Sequence, residues 1–124
     1  MNCKEAKSTN NMKGKLYDLS QVKMFLGNDK QQLGNMISIF VSETPLMIQA
    51  LNDNMQSYNL DEVRFYAHKL KSSIDLFQIN GLQQDIRSLE KLAGEKNNVA
   101  TIQQYVSDIT NTLEVVIEEI RKEA

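Results

Sequence analysis

The sequence predicts an all-α fold, an antiparallel up-down-up-down four-helix bundle preceded by one short helix. Three observations predict it. From Tyr17 onward apolar residues recur every three or four positions, and no segment of more than a few residues alternates as a half-buried strand would. One Pro and five Gly punctuate the chain sparsely. The absence of Trp and an aromatic content of 6% favour aliphatic helix packing over a sandwich or barrel. A chain of 124 residues holds one domain, which buries about two thirds of its unfolded surface.

Residues 1–15 are rich in Lys and Asn, carry no apolar period and are expected to form a flexible leader, leaving residues 16–124 for the bundle. The short helix follows Ser20, the expected N-cap, and stops at Leu26-Gly27-Asn28. The second helix starts at Asp29 and carries Leu33, Ile37, Phe40, Thr44, Met47 and Leu51 on one face, to about Met55. Pro45 interrupts it, but the stripe keeps phase across the proline, so one bent, continuous helix is expected. The third helix carries Leu60, Val63, Ala67, Leu70, Ile74 and Phe77, a bundle-facing seam. Asn80-Gly81 is a turn, and Leu82, Ile86, Leu89 and Ala93 mark a fourth helix ending at Gly94. After Asn97-Asn98 the last helix repeats Val99, Ile102, Val106, Ile109, Leu113, Val116 and Ile120. That is the near-3.5 period of antiparallel helices crossing at about 20°.

Composition removes several function classes. A formal charge of -2 and a pI near 5.4, with no Lys/Arg cluster, give no field to gather nucleic acid. Cys3 is the only cysteine, so neither a disulfide framework nor a thiolate metal site is expected, and a reducing compartment suits the chain. No apolar run approaches the roughly 18 to 20 residues of a membrane span, and the start lacks a signal-peptide apolar core. A cytoplasmic protein without membrane contact is expected. The chain has no Cys/His pair, HExxH motif, Gly-rich phosphate loop or Walker lysine. A lone His cannot supply a His-rich zinc site, and carboxylate pairs such as Glu118-Glu119 fall on a solvated helix face. No bound metal, no cofactor and no independent enzymatic turnover are therefore expected.

His68 stands apart. At about 100° per residue it lies about 130° from the centre of its helix's apolar seam, on a strip with Asp61, Arg64, Phe65, Ser72 and Asp75. It should be largely exposed. One reading is an incidental surface histidine. The other follows from its neighbours: Arg64 at i−4 and Lys71 at i+3 offer cationic donors to an anion on Nε2, and Ser72 at i+4 adds a hydroxyl.

The run Ala67-His68-Lys69-Leu70-Lys71-Ser72-Ser73 resembles the signature of histidine-containing phosphotransfer (HPt) domains, an Ala-His-x-Leu-Lys-Gly-Ser run in a long bundle helix. The resemblance extends over about residues 16–120, through the opening Leu16-Tyr17-Asp18-Leu19-Ser20, the Pro-containing second helix from Phe40 to Pro45, and Leu82 with Leu89-Glu90. Only the His68 run is specific. It implies that His68 accepts and donates a phosphoryl group between aspartyl-phosphate receiver domains of a two-component phosphorelay, with Lys71 steadying the phosphate charge. Glu90 resembles the polar group that orients the active ring, its alternative being a solvated carboxylate; Gln83 and Gln84 are weaker candidates. Ser72 and Arg64 would give support. Phe65, Tyr66, Leu76 and residues of the second helix are candidates for partner docking, although Tyr66 and Leu76 could equally complete the bundle. The implied partners are response-regulator receivers and a hybrid sensor histidine kinase, with Mg²⁺ supplied by the receiver, and the chain is expected to be a monomeric phosphocarrier. The alternative is a helical docking module that never accepts phosphate.

Two departures from the family pattern stand out. Ser72 occupies the place of the Gly that follows the signature Lys, and should narrow a partner's approach. Gln78 replaces a Gly about ten residues beyond the His, so the third helix is expected to run longer, with Asn80-Gly81 making the turn.

Overall fold

The structure, a computed structural model, describes residues 16–123. Among the described residues all regular structure is helical: α1 (Ser20–Phe25), α2 (Lys30–Gln56), α3 (Leu60–Leu76), α4 (Gln83–Glu95) and α5 (Val99–Arg121). The leader expected at residues 1–15 lies outside the described residues. The four long helices close a ring of contacts, α3 touching α2 and α4, and α5 touching the same two. Each long helix therefore covers its apolar stripe against two neighbours.

Local chemistry sets the helix starts. The Asp29 carboxylate caps α2, accepting from the N–H groups of Gln31 and Gln32 at 3.0 and 3.1 Å. Asn59 caps α3 by accepting from Glu62 N–H at 3.4 Å, and Asp61 and Glu62 put negative charge at the positive end of its dipole. The start of α1 corrects the expectation, because Ser20 is its first helical residue and not its cap. Asp18 does the capping work, accepting from Ser20 Oγ at 2.6 Å and from Ser20 N–H at 2.9 Å. Those bonds, the hydroxyl's first, hold its carboxyl below the ordinary range.

α2 runs unbroken through Pro45 because Ile37, Phe40, Thr44, Ile48, Leu51 and Met55 are buried on both sides of it. Met47, expected in that stripe, is only half-buried and Ile48 takes the core position. The two lie about 100° apart on the wheel, and Ile48 is the one that turns toward α5, where it shares a groove with Ile117.

The α3 seam is buried as expected, from Leu60 to Phe77, and the Phe77 ring meets Phe40 of α2 at 4.8 Å. Burying one Leu or Ile is worth about 1.5–3 kcal/mol, against about 1 kcal/mol or less for an exposed ion pair. The seam, not the surface charge, holds α3 in place. The helix does not run longer as expected. It stops at Leu76, and Gln78 itself takes the left-handed turn at φ +44°. Ile79 N–H bonds Ile74 O at 2.9 Å and Gln78 N–H bonds Asp75 O at 3.1 Å, which closes the helix end over buried Ile74 and Ile79.

α4 buries Ile86, Leu89 and Ala93 as expected but continues past Gly94 to Glu95, with Lys96 in the left-handed cap position. Gly94 serves packing: the Arg64 side chain crosses it, with Cδ and Nε 3.2 Å from where a Cβ would stand. In α5 the expected stripe is buried from Ile102 to Ile120, joined by Thr110 and Ile117, while Val99 at the start stays exposed. The entering chain is tied down at two places, Tyr17 donating its hydroxyl to Glu123 Oε2 at 2.6 Å and Asp18 N–H bonding Phe77 O at 3.0 Å. Burial, and then Glu123, push the Tyr17 hydroxyl well above the ordinary phenol range, which keeps it a donor.

Candidate functional site

The apolar seam of α3 turns His68 outward on the side that borders α4. Along this border Asp61 meets Lys96, Arg64 crosses Gly94, His68 meets Glu90, and Asp75 meets Arg87. Numbers that rise on α3 fall on α4, so the two helices run antiparallel. His68 sits midway along the ladder with its side chain 63% exposed, while Glu90 is 19% exposed. The ring therefore stands out from a carboxylate set beneath it.

Glu90 divides its two oxygens. Oε2 lies 2.7 Å from His68 Nδ1, and Oε1 accepts from Lys71 Nζ at 2.9 Å. Burial acts to raise the Glu90 carboxyl, and the hydrogen bonds from Lys71 and His68 outweigh it, so the group is held below its ordinary value. An ionised carboxylate can only accept. The contact therefore favours, for a neutral ring, the tautomer with its proton on Nδ1.

The other residues singled out in the sequence are placed as follows. Lys71 is within reach of the ring, but in this state its charge is spent on Glu90. Arg64 is not drawn to the imidazole; its stem lies across Gly94 because the missing side chain there opens a track over α4. Ser72 is exposed on the His68 strip, and none of the hydrogen bonds at the ring or at Glu90 comes from it. Gln83 lies by Asp75 and Gln84 is exposed, and the Nδ1 contact of the ring is made by Glu90 and by neither of them. Phe65 is 50% exposed, whereas Tyr66 and Leu76 are half-buried and pack on the core. Phe65 and Tyr66 meet edge to face at 5.0 Å, and Lys69 Nζ sits 5.3 Å from the Phe65 ring centre.

Periodicity did not single out three features. Ile39 and Leu46 of α2, 57% and 69% exposed, are apolar residues on the outer face; their exposed place on the α2 wheel was the available signal. Arg87 forms a bidentate bridge to Asp75, at 3.0 Å to Oδ1 and 2.6 Å to Oδ2. No spacing within one helix could announce it. The same holds for Arg64 over Gly94.

The site lies on the open face around His68. An open groove of about 410 Å³ between α2 and α5, lined by Pro45, Ile48, Gln49, Asn52, Glu114, Ile117 and Glu118, includes none of its residues. Among the described residues no group of three or more His, Cys, Asp or Glu could hold a metal, and no helix is long and apolar enough to cross a membrane. What the arrangement offers is one protruding, oriented imidazole with a cation and an anion at its base.

Compared with known families, the chain matches the model of the Hpt domain over residues 35–122. That span runs from within α2 to just beyond α5 and contains His68, Lys71 and Glu90. No curated protein and no solved structure matches.

Proposed function

The chain belongs to the Hpt domain family, the phosphotransfer modules of phosphorelays, and from that premise we propose that it carries a phosphoryl group on His68 Nε2 between the aspartyl phosphates of two receiver domains. The observation that carries this reading is the Nδ1 to Glu90 contact at 2.7 Å beneath an exposed ring. In the transfer, the Nε2 lone pair attacks the phosphorus in line, the bond from phosphorus to the aspartyl oxygen breaks, and the receiver recovers its carboxylate. The imidazole keeps its Nδ1 proton throughout, and the positive charge gained by the ring faces Glu90. The reverse step hands the group to the second receiver.

Little machinery is required of this chain. Phosphoryl transfer is governed by positioning and electrostatics, and in this reading the receiver contributes Mg²⁺ and the acidic pocket while this domain contributes the nucleophile, as a carrier without independent turnover. Lys71 leaves Glu90 far enough to share its charge with the phosphoryl oxygens. The proposed docking face centres on Phe65, three residues before His68 on α3, because an exposed large apolar residue beside a reactive group favours an interface, with residues of α2 as further candidates. Tyr66 and Leu76 support that face from the half-buried layer. The antiparallel α3 and α4 and the short links between the long helices favour the up-down-up-down arrangement of the bundle.

The test is incubation of the chain and of His68→Gln with a phosphorylated receiver domain, read by intact mass and acid lability. An acid-labile adduct on the parent alone is the expected result. Measurable binding with no adduct from several receivers overturns it in favour of an inert docking module.

A further inference from the structure

Two sets of contacts join α3 to α4 near the ring, about one helical turn apart along α4 and about two apart along α3 when counted from His68. The first is the Glu90 carboxylate shared between His68 and Lys71; the second is the bridge from Arg87 to Asp75. They lie on the same faces: Asp75 is seven residues beyond His68 on α3, and Arg87 is three residues before Glu90 on α4. The two sets differ in stiffness. A lysine ammonium on a four-carbon stem can follow a carboxylate through small shifts, whereas a planar guanidinium engaged by two parallel bonds fixes both distance and orientation. The Arg87 guanidinium is held at a third point as well, since Nη1 donates to Gln83 O, one turn back on its own helix, at 2.9 Å.

The ring contact needs such a constraint. A hydrogen bond of 2.7 Å tolerates a displacement of only a few tenths of an ångström before it weakens, and sliding one helix by a single residue moves its side chains by about 1.5 Å. Glu90 alone does not define that register, because it meets His68 through one oxygen and Lys71 through the other, with no second bond to either partner to fix its angle. Core packing sets the register; the two-bond bridge between Arg87 and Asp75 narrows the small displacements that packing leaves. Resting on the reading of His68 as acceptor and Glu90 as the group that orients it, we propose that Arg87, clamped by Asp75, is a positioning residue that holds α4 in the register at which Glu90 selects the Nδ1–H tautomer of His68.

The experiment follows the ring directly, by ¹⁵N NMR of neutral His68 in the parent, Arg87→Ala, Arg87→Lys, Asp75→Asn and Glu90→Ala, alongside thermal unfolding and the rate of phosphoryl acceptance from a receiver. The parent should show one dominant tautomer with the proton on Nδ1. Arg87→Ala and Asp75→Asn should lose that dominance with the fold intact, and acceptance should fall about tenfold, the low end for removing an orienting partner. Arg87→Lys, which keeps the charge without the fork, should recover only part of it. The opposed pair Asp75→Arg with Arg87→Asp, which restores a bridge, should return the signal toward the parent's. An unchanged tautomer in Arg87→Ala overturns the proposal, as does an unchanged tautomer in Asp75→Asn should the arginine variant fail to fold. If Glu90→Ala leaves the tautomer unaltered, the role of Glu90 falls and the clamp falls with it. Absence of any phosphoryl adduct on the parent, with the tautomer lost in Arg87→Ala, removes the carrier role alone and leaves the clamp standing.

Discussion

His68 and Glu90, on facing helices, are joined through Nδ1 and Oε2 at 2.7 Å, and the second oxygen of the same carboxylate holds Lys71 at 2.9 Å. One carboxylate thus contacts both the ring and the nearby cation, and in the proposed carrier it would orient the nucleophile. Replacing it should uncouple both effects. We expect Glu90→Ala to keep the fold and to slow phosphoryl acceptance by about 10- to 100-fold, the range seen when the hydrogen-bond partner that orients a metal-bound imidazole is removed. Transfer kinetics with a phosphorylated receiver check this; a rate equal to the parent's would remove Glu90 from the mechanism.

The same carboxylate makes stability depend on pH. Its folded-state value lies below the ordinary one, since hydrogen bonds from Lys71 and His68 exceed the opposing effect of burial. A carboxylate with a depressed folded value adds stability that is fully present above its unfolded value, near 4.3, and is lost as pH falls through the folded value. The stability difference between the parent and Glu90→Gln should therefore be largest near neutrality and shrink on the acid side. Urea unfolding from pH 7 downward measures it, and a difference that grows in acid would contradict this assignment.

Phe65 and Tyr66 touch each other but should respond differently to truncation. Phe65 is half exposed, whereas Tyr66 packs against the core. Phe65→Ala should weaken receiver binding by about 30-fold, the lower bound of a hot-spot residue, with a small change in unfolding midpoint. Tyr66→Ala should show its main cost in stability. Calorimetric titration paired with thermal melts separates the two.

Gln78 occupies a left-handed conformation at the end of α3. A residue with a side chain gives up about 1–2 kcal/mol there, of which glycine's greater unfolded freedom takes back about 0.5–1 kcal/mol. Gln78→Gly should thus stabilise the chain by about 0.5–1 kcal/mol, seen as a higher urea midpoint at unchanged slope.

Thr44 Oγ1 is buried and has no hydrogen-bond partner among the described residues. An unsatisfied buried hydroxyl costs about 1–3 kcal/mol, and valine reproduces its shape without the polar atom. We expect Thr44→Val to raise stability by about 1 kcal/mol or more, by the same measurement. A loss of stability would reveal a partner for the hydroxyl.

Periodicity is a local property, and where it is strong it fixed the outcome. The six-residue seam of α3 is buried throughout, which also settles that His68 points outward. It was weaker at the edges of a stripe, as with Met47 and Ile48, because two residues about 100° apart can each close the same face and the neighbouring helix chooses between them. End effects were weaker still. Gln78 and Lys96 take left-handed turns that a sequence reading assigns to glycine, since closure of the helix end over buried residues outweighs the backbone cost.

By itself, then, the sequence determined the helical class, the seams and the exposed histidine with Lys71 one turn on, because each depends on residues within a few positions of one another along a helix of known pitch. The tertiary structure decided that Glu90 meets Nδ1, that Lys71 is occupied by Glu90, that Arg64 lies over Gly94 and that Arg87 bridges to Asp75. These contacts depend on how far α4 is slid and rotated against α3, a quantity that rests on the packing of the two buried seams against each other and is carried by no single stretch of chain.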